Sequence, residues 1–206
     1  KSRCIGTTTK QNIVNDSIFY YSFDNSEKND ENWQKLADKI KKYKNKKIVI
    51  FLNAAIFDNK EDNFKDKQLI LNVNFFNQMK FVHKIKNFLD PEKLKIIFFS
   101  SFTIYNDKSK LPYYKISKSL FYEEFLRVKD QDQNICYKLF ILAGIKTESY
   151  LKNNKKKIFN KIIDVDIDHA VDFILKKISD DDNKIIFYPK IYVFLQKLLF
   201  IKKIFI

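Results

Sequence analysis

Apolar residues along this chain fall into two kinds of run. Five are continuous: Ile18–Phe23 (IFYYSF), Lys47–Leu52 (KIVIFL), Leu94–Phe99 (LKIIFF), Ile135–Leu142 (ICYKLFIL) and Lys184–Tyr188 (KIIFY). Runs that do not alternate with polar residues predict strands buried on both faces, as in a parallel sheet covered by helices. Between them lie longer segments with apolar residues three and four apart, the spacing of one helix face. Asn32–Tyr43 carries Trp33, Leu36, Ala37 and Ile40; Gln68–Phe88 carries Leu71, Phe75, Met79, Val82 and Ile85. Tyr113–Lys129 and Asp168–Ile178 follow the same rule, with Asp168 as the expected N-cap of the last. The alternation of strand and helix predicts a doubly wound, three-layer α/β/α domain over residues 1–206, with no internal repeat and no second-domain linker. The run Asn153–Lys157 reads as a solvated loop.

Composition narrows the picture. The chain has 206 residues, 45% hydrophobic and 31% charged, which excludes wholesale disorder. It holds only two glycines, so no Gly-rich phosphate loop can be written in it. The net charge is +14, a balance that attracts nucleic acid or an anionic membrane. Lys, Asn, Ile and Phe are abundant together, as an AT-rich genome imposes, and no nucleic-acid motif is present, so no nucleic-acid partner is expected. Cys4 and Cys136 fit neither a disulfide nor a metal-ligand spacing, and the N-terminus is polar, so a cytoplasmic location is expected. No uncharged apolar stretch reaches the roughly 18 residues of a membrane span. The apolar tail Ile191–Ile206 fits a subunit contact or a flap over a substrate, or peripheral contact with a membrane surface. His83 and His169 stand alone, and Asp180-Asp181-Asp182 reads as solvated, so no metal site is expected. Trp33, Phe75, Phe76, Phe98 and Phe99 read as core.

In open α/β sheets ligands bind beyond the carboxyl ends of the strands. The residues there are Asp24, Asn53, Ser100-Ser101 and Ala143-Gly144. Tyr114 and Lys118 are four apart on a predicted helix and so share a face. An ammonium beside a phenol favours the phenolate, so Lys118 is expected to lower the pKa of Tyr114 and fit it for proton transfer. Ser101, ending the preceding strand, offers a hydroxyl to hold a substrate oxygen.

Ser101 followed by Tyr114-Lys115-Ile116-Ser117-Lys118 resembles the short-chain dehydrogenase/reductase family. Leu52-Asn53-Ala54-Ala55 resembles that family's Asn-Asn-Ala-Gly segment, with Leu and Ala replacing two members. Val73-Asn74 resembles the helix asparagine of its catalytic tetrad; Asn72 competes, but the step from Asn74 to Ser101 suits the family better. Ala143-Gly144-Ile145-Lys146-Thr147 resembles the Pro-Gly-x-x-Thr segment beside the nicotinamide, and Asp24 the acid that meets the adenine. The resemblance covers almost the whole chain, Tyr188-Pro189 and the C-terminal tail included.

The resemblance implies a Rossmann-type oxidoreductase that moves hydride between NADP(H) and a carbonyl/alcohol pair. Tyr114 would be the general acid/base, with Lys118 binding the nicotinamide ribose. Ser101 would orient the substrate oxygen, and Asn74 would hold a relay water. Arg3 stands where a cation would meet the 2′-phosphate of NADP, whereas an acid there would favour NAD. A homodimer or homotetramer built on the two long helices is implied, and Lys152 with Lys155–Lys157 points to an anionic substrate. The family's opening strand, Gly-x-x-x-Gly-x-Gly turn and first helix find no counterpart before Arg3, so an N-terminally truncated fold is expected; Gly6-Thr7-Thr8-Thr9, with one glycine and no strand before it, is no substitute. The competing reading is a non-catalytic Rossmann-like fragment or pseudoenzyme that binds a partner.

Overall fold

The computed structural model describes residues 4–8, 14–15, 18–22, 38–43, 45–56, 63–105, 111–145 and 165–189. Four strands form one parallel sheet in the order β4 (Ile48–Leu52), β5 (Leu94–Ser101), β6 (Cys136–Leu142), β7 (Lys184–Tyr188). Three further strands pair separately: β1 (Cys4–Thr8) runs parallel to β3 (Ile18–Ser22), and β2 (Val14–Asn15) lies antiparallel to it. Gly6, Thr7 and Thr8 lie in a strand. One expectation is corrected here: the Ile18 strand pairs with β1 and β2, not within the ladder of the other four. Threonine is a good strand former, and a single glycine does not prevent ladder pairing.

Between β4 and β5 run α1 (Phe64–Leu71), a π-helical turn (Asn72–Phe76) and α2 (Asn77–Lys86). The first of these begins four residues earlier than its apolar pattern, because the Asn63 side chain accepts the Asp66 N–H and caps it. α3 (Pro112–Gln131) links β5 to β6 and opens on a proline at its first turn. α4 (Ile167–Lys177) links β6 to β7; its N-cap position is held by Asp166, not Asp168, which sits in the first turn where a carboxylate favours the helix dipole.

The apolar strand runs are explained by two cores. In β5, Ile96 and Phe98 face Phe75, Val82, Ile85, Phe121 and Phe125, whereas Ile97 and Phe99 face Phe173 and Ile174 of α4. In β6, Leu139 and Ile141 join the first core and Phe140 the second. Each fully buried Phe or Leu contributes about 1.5–3 kcal/mol. β4 departs from the expected two-sided burial: Ile48 and Ile50 pack on the first core, but Val49 and Phe51 are 38% and 44% exposed. Phe76 is half exposed, in contrast to the expected core position, since Phe75 beside it on the helix takes the inward direction.

The aspartates at 181 and 182 are likewise not merely solvated. Fully buried Lys138 of β6 donates to Asp182 at 2.6 Å, and Lys95 of β5 reaches Asp181 at 2.8 Å together with the carbonyls of Ile178 and Asp180. These bonds, with Lys47 on Asp181 and Lys184 on Asp182, hold both carboxyls down at about 2. Two lysines inside strands thus tether the α4–β7 loop.

Candidate active site

The segment 53–56, Ser101 and residues 143–145 stand at the carboxyl ends of three adjacent strands, β4, β5 and β6. Pro112 starts α3 so that Tyr114 and Lys118 lie in its first two turns, packed back on β5. The Ser101 hydroxyl hydrogen-bonds the Tyr114 phenol. It also accepts the Thr103 N–H at 3.3 Å, which fixes the serine against the turn that follows. Ser100 points the other way and donates to the Lys118 carbonyl at 2.8 Å, riveting α3 to β5.

Lys118 is 4% exposed, and its ammonium donates to the Phe99 carbonyl at 3.1 Å. It lies over two rings, 5.7 Å from the centre of Tyr114 and 5.4 Å from that of Phe121. Burial pulls its pKa down to about 8. Burial also pushes the Tyr114 phenol above its ordinary value, an effect the Ser101 bond only offsets in part. The expectation that Lys118 depresses the phenol is therefore corrected: in this buried site desolvation dominates both groups. Tyr114 is a phenol, a proton donor, at neutral pH.

Asn74 sits at the centre of the π turn and is fully buried. Its Oδ1 accepts the Ile56 N–H at 2.6 Å; its Nδ2 donates to the Ile56 carbonyl at 3.0 Å and to Ser117 Oγ at 3.2 Å. Ser117 in turn donates to the Tyr114 carbonyl at 2.7 Å. The asparagine thus ties the exit of β4 to the helix that carries Tyr114. One turn along from it, Gln78 reaches the carbonyls of Ala54, Val73 and Asn74. Ser117 and Gln78 were not singled out from the sequence, although their signal was present: each lies within one helical turn of a chosen residue, Tyr114 or Asn74, and so shares its face.

Asn53, Ala54 and Ala55 are exposed, with small side chains on two of the three. Gly144 and Ile145 leave β6, two strands across from them with β5 between; the Gly144 carbonyl accepts the Val165 N–H at 3.0 Å, and Ile145 bridges Val165 just before α4. Arg3, Asp24, Thr147, Trp33, Lys152 to Lys157 and the tail 191–206 lie outside the described residues. His169 is exposed on α4, 4.0 Å from Asp166, and His83 is exposed on α2. Cys136 is a free thiol. Among the described residues no group of three metal-ligating side chains occurs, and no helix is long and apolar enough to cross a membrane.

No protein-family model and no curated protein sequence matches the chain. Solved structures do. A short-chain dehydrogenase family protein from Francisella tularensis superposes with a TM-score of 0.70 at 17% identity, over 90% of this chain and 86% of that one. A short-chain dehydrogenase from Burkholderia cenocepacia, solved with NADP, gives 0.74 at 13% identity, over 95% and 80%. A 4-hydroxyisoleucine dehydrogenase complexed with NADH gives 0.68 at 16% identity, over 89% and 84%. At such identities the likeness is one of backbone, and it extends over 89% to 95% of this chain. The chain has the fold of the short-chain dehydrogenases and reductases.

Proposed function

We propose that this chain is an NADP(H)-dependent oxidoreductase interconverting a carbonyl and an alcohol, with Tyr114 as general acid/base. The observation that carries the reading is the partly buried Tyr114 phenol bonded to Ser101 at the carboxyl edge of the sheet, with the Lys118 ammonium over its ring. The residues present fit a nicotinamide. The exposed Ala54 and Ala55 leave room for a flat ring, Gly144 adds no side chain on the far side, and the Lys118 ammonium is a donor suited to ribose hydroxyls. The nicotinamide supplies or accepts the hydride; the protein handles the proton.

Ser101 holds the substrate oxygen beside Tyr114. In reduction the phenol donates its proton to that oxygen as charge develops on it. In oxidation the phenolate must accept the proton, and since burial raises its pKa, alcohol oxidation gains rate as pH rises above neutral while carbonyl reduction loses it. Asn74 serves a proton relay through the second acceptor position of Oδ1, its two amide hydrogens being engaged by Ile56 and Ser117. Arg3 and Lys1 supply the preference for a 2′-phosphate, and Asp24 meets the adenine. NADP is preferred on that ground, although the solved relatives include complexes with either nucleotide.

The test is a titration of the folded chain with NADPH and NADH followed by nicotinamide fluorescence, and turnover on a panel of carbonyl compounds. NADPH binds in the micromolar range, more tightly than NADH and less so at high salt, and Tyr114→Phe keeps that binding while losing about 100-fold or more in turnover. A folded chain that takes neither nucleotide is a binding module and overturns the assignment.

A further inference from the structure

The exit segment of β4 leaves the sheet with Asn53, Ala54 and Ala55 exposed. Two side chains reach down to its backbone. Asn74 clasps Ile56 at both its N–H and its carbonyl, and Gln78 Nε2 donates to the Ala54 carbonyl at 2.6 Å. Gln78 is 3% exposed, and the same nitrogen lies 3.1 Å from the Val73 carbonyl and 2.9 Å from that of Asn74. Three carbonyl oxygens round one amide nitrogen fix the orientation of the amide, because the flipped form would set oxygen against oxygen.

The arrangement has a cost. Gln78 Oε1 is buried with no partner among the described residues. A leucine or methionine of similar size would strand no acceptor there, so the fold retains an unpaired oxygen together with the placed donor. The π turn explains why a donor is needed there: in its wider coil the Val73 and Asn74 carbonyls come within reach of a side chain one turn on, and the Ala54 carbonyl completes the set.

We infer that Gln78 is a positioning residue: it locks the π turn that carries Asn74 to Ala54, and so sets the height of the 53–56 segment on which the nicotinamide end of the cofactor rests. This rests on the oxidoreductase reading above. Gln78 touches neither cofactor nor substrate; it acts through the Ala54 backbone. Removing its donor lets Ala54 and Ala55 move while Ile56 stays clasped by Asn74, and the loss falls on cofactor binding before it falls on chemistry.

Q78M keeps the volume and removes the donors; Q78L also removes them and is used if Q78M does not fold. In either folded variant the NADPH Kd and KM rise about tenfold, the factor one hydrogen bond carries, while kcat at saturating NADPH changes less than about threefold. Amide exchange at 53–56 quickens, and that of β5 does not. An unchanged NADPH affinity, a fall in kcat with KM unmoved, or faster exchange in β5 as much as at 53–56 overturns the inference. Should the wild-type chain bind no NADPH, the oxidoreductase reading fails, and the exchange comparison alone decides Gln78: equal exchange at 53–56 in wild type and variant overturns it.

Discussion

Lys118 is held where an ammonium is disfavoured, and that makes a measurable signature. Folded, it loses its proton near 8; unfolded, near its ordinary 10.5. Between those values the unfolded chain binds more protons, so raising the pH stabilises the folded state, by roughly 3 kcal/mol over the whole window. Below pH 8 both states are protonated and the burial penalty is felt in full. Urea unfolding of wild type and Lys118→Met at pH 7 and pH 10 isolates the effect: the wild type gains stability relative to the variant on going to pH 10. A difference that stays constant with pH would show the lysine to be solvated. Helix spacing singled out Tyr114 and Lys118, and position at a strand end Ser101, both properties of sequence, whereas Asn74 was chosen only through the family resemblance. The direction of the Tyr114 shift was not legible, since desolvation depends on what the Phe99 strand and Phe121 bury around the pair.

At the scale of elements, the strand lysines Lys95 and Lys138 decide how the α4–β7 unit is attached. Lys138 is fully buried and Asp182 half exposed, so removing the acid leaves a charge inside the sheet without a partner. Asp182→Asn is expected to cost about 1–3 kcal/mol, less than the loss of a wholly buried pair, whereas Lys138→Met, which removes the charge itself, stays within about 1 kcal/mol of wild type. Equal losses in the two variants, read from denaturation midpoints, would contradict a pairing role. The acid side follows from the same bonds. The carboxyls of Asp181 and Asp182 titrate near 2 in the folded chain and near 3.8 otherwise, so their contribution is complete above pH 4 and is lost as pH falls from 4 toward 2. The strands β5, β6 and β7 were legible because they are covered on both faces and carry unbroken apolar runs. The lysines within those runs, Lys95 and Lys138, were the overlooked sign that the run of three aspartates is an anchor. The strand Cys4–Thr8 escaped notice because a Gly-Thr-Thr stretch lacks the apolar signal and forms its ladder only through Ile18–Ser22. The π turn escaped because a π insertion leaves the apolar spacing of the helix nearly unchanged over one turn.

At the scale of the whole molecule, the described residues secure the two faces of the parallel sheet unequally. The face under α2 and α3 gathers seventeen buried apolar residues among those described, including Phe98 in ring contact with both Phe121 and Phe125. The face under α4 gathers four, and the outer side of that helix leaves Ile167, Val171 and Leu175 about half exposed. Among the described residues the second face has less apolar burial and carries the ion pairs of Lys95 and Lys138, which titrate and screen as apolar contacts do not. Local stability follows local burial, so α4 with β7 is expected to open by itself before the rest of the domain does. Native-state hydrogen exchange, corrected for intrinsic rates, tests this: amides of α4 exchange at least about tenfold faster than those of α3 at pH 7, and the gap widens at pH 3, where Asp181 and Asp182 begin to take up protons. The site residues on α2 and α3 would then sit on the rigid face while Gly144 and Ile145, bonded to Val165 at the entrance of α4, sit on the labile one. Opening of α4 would therefore loosen one wall of the proposed cofactor site and leave Tyr114, Ser101 and Asn74 in place. Exchange of α3 and α4 with a single common free energy would show that the two faces open as one unit and that no such division of the site exists.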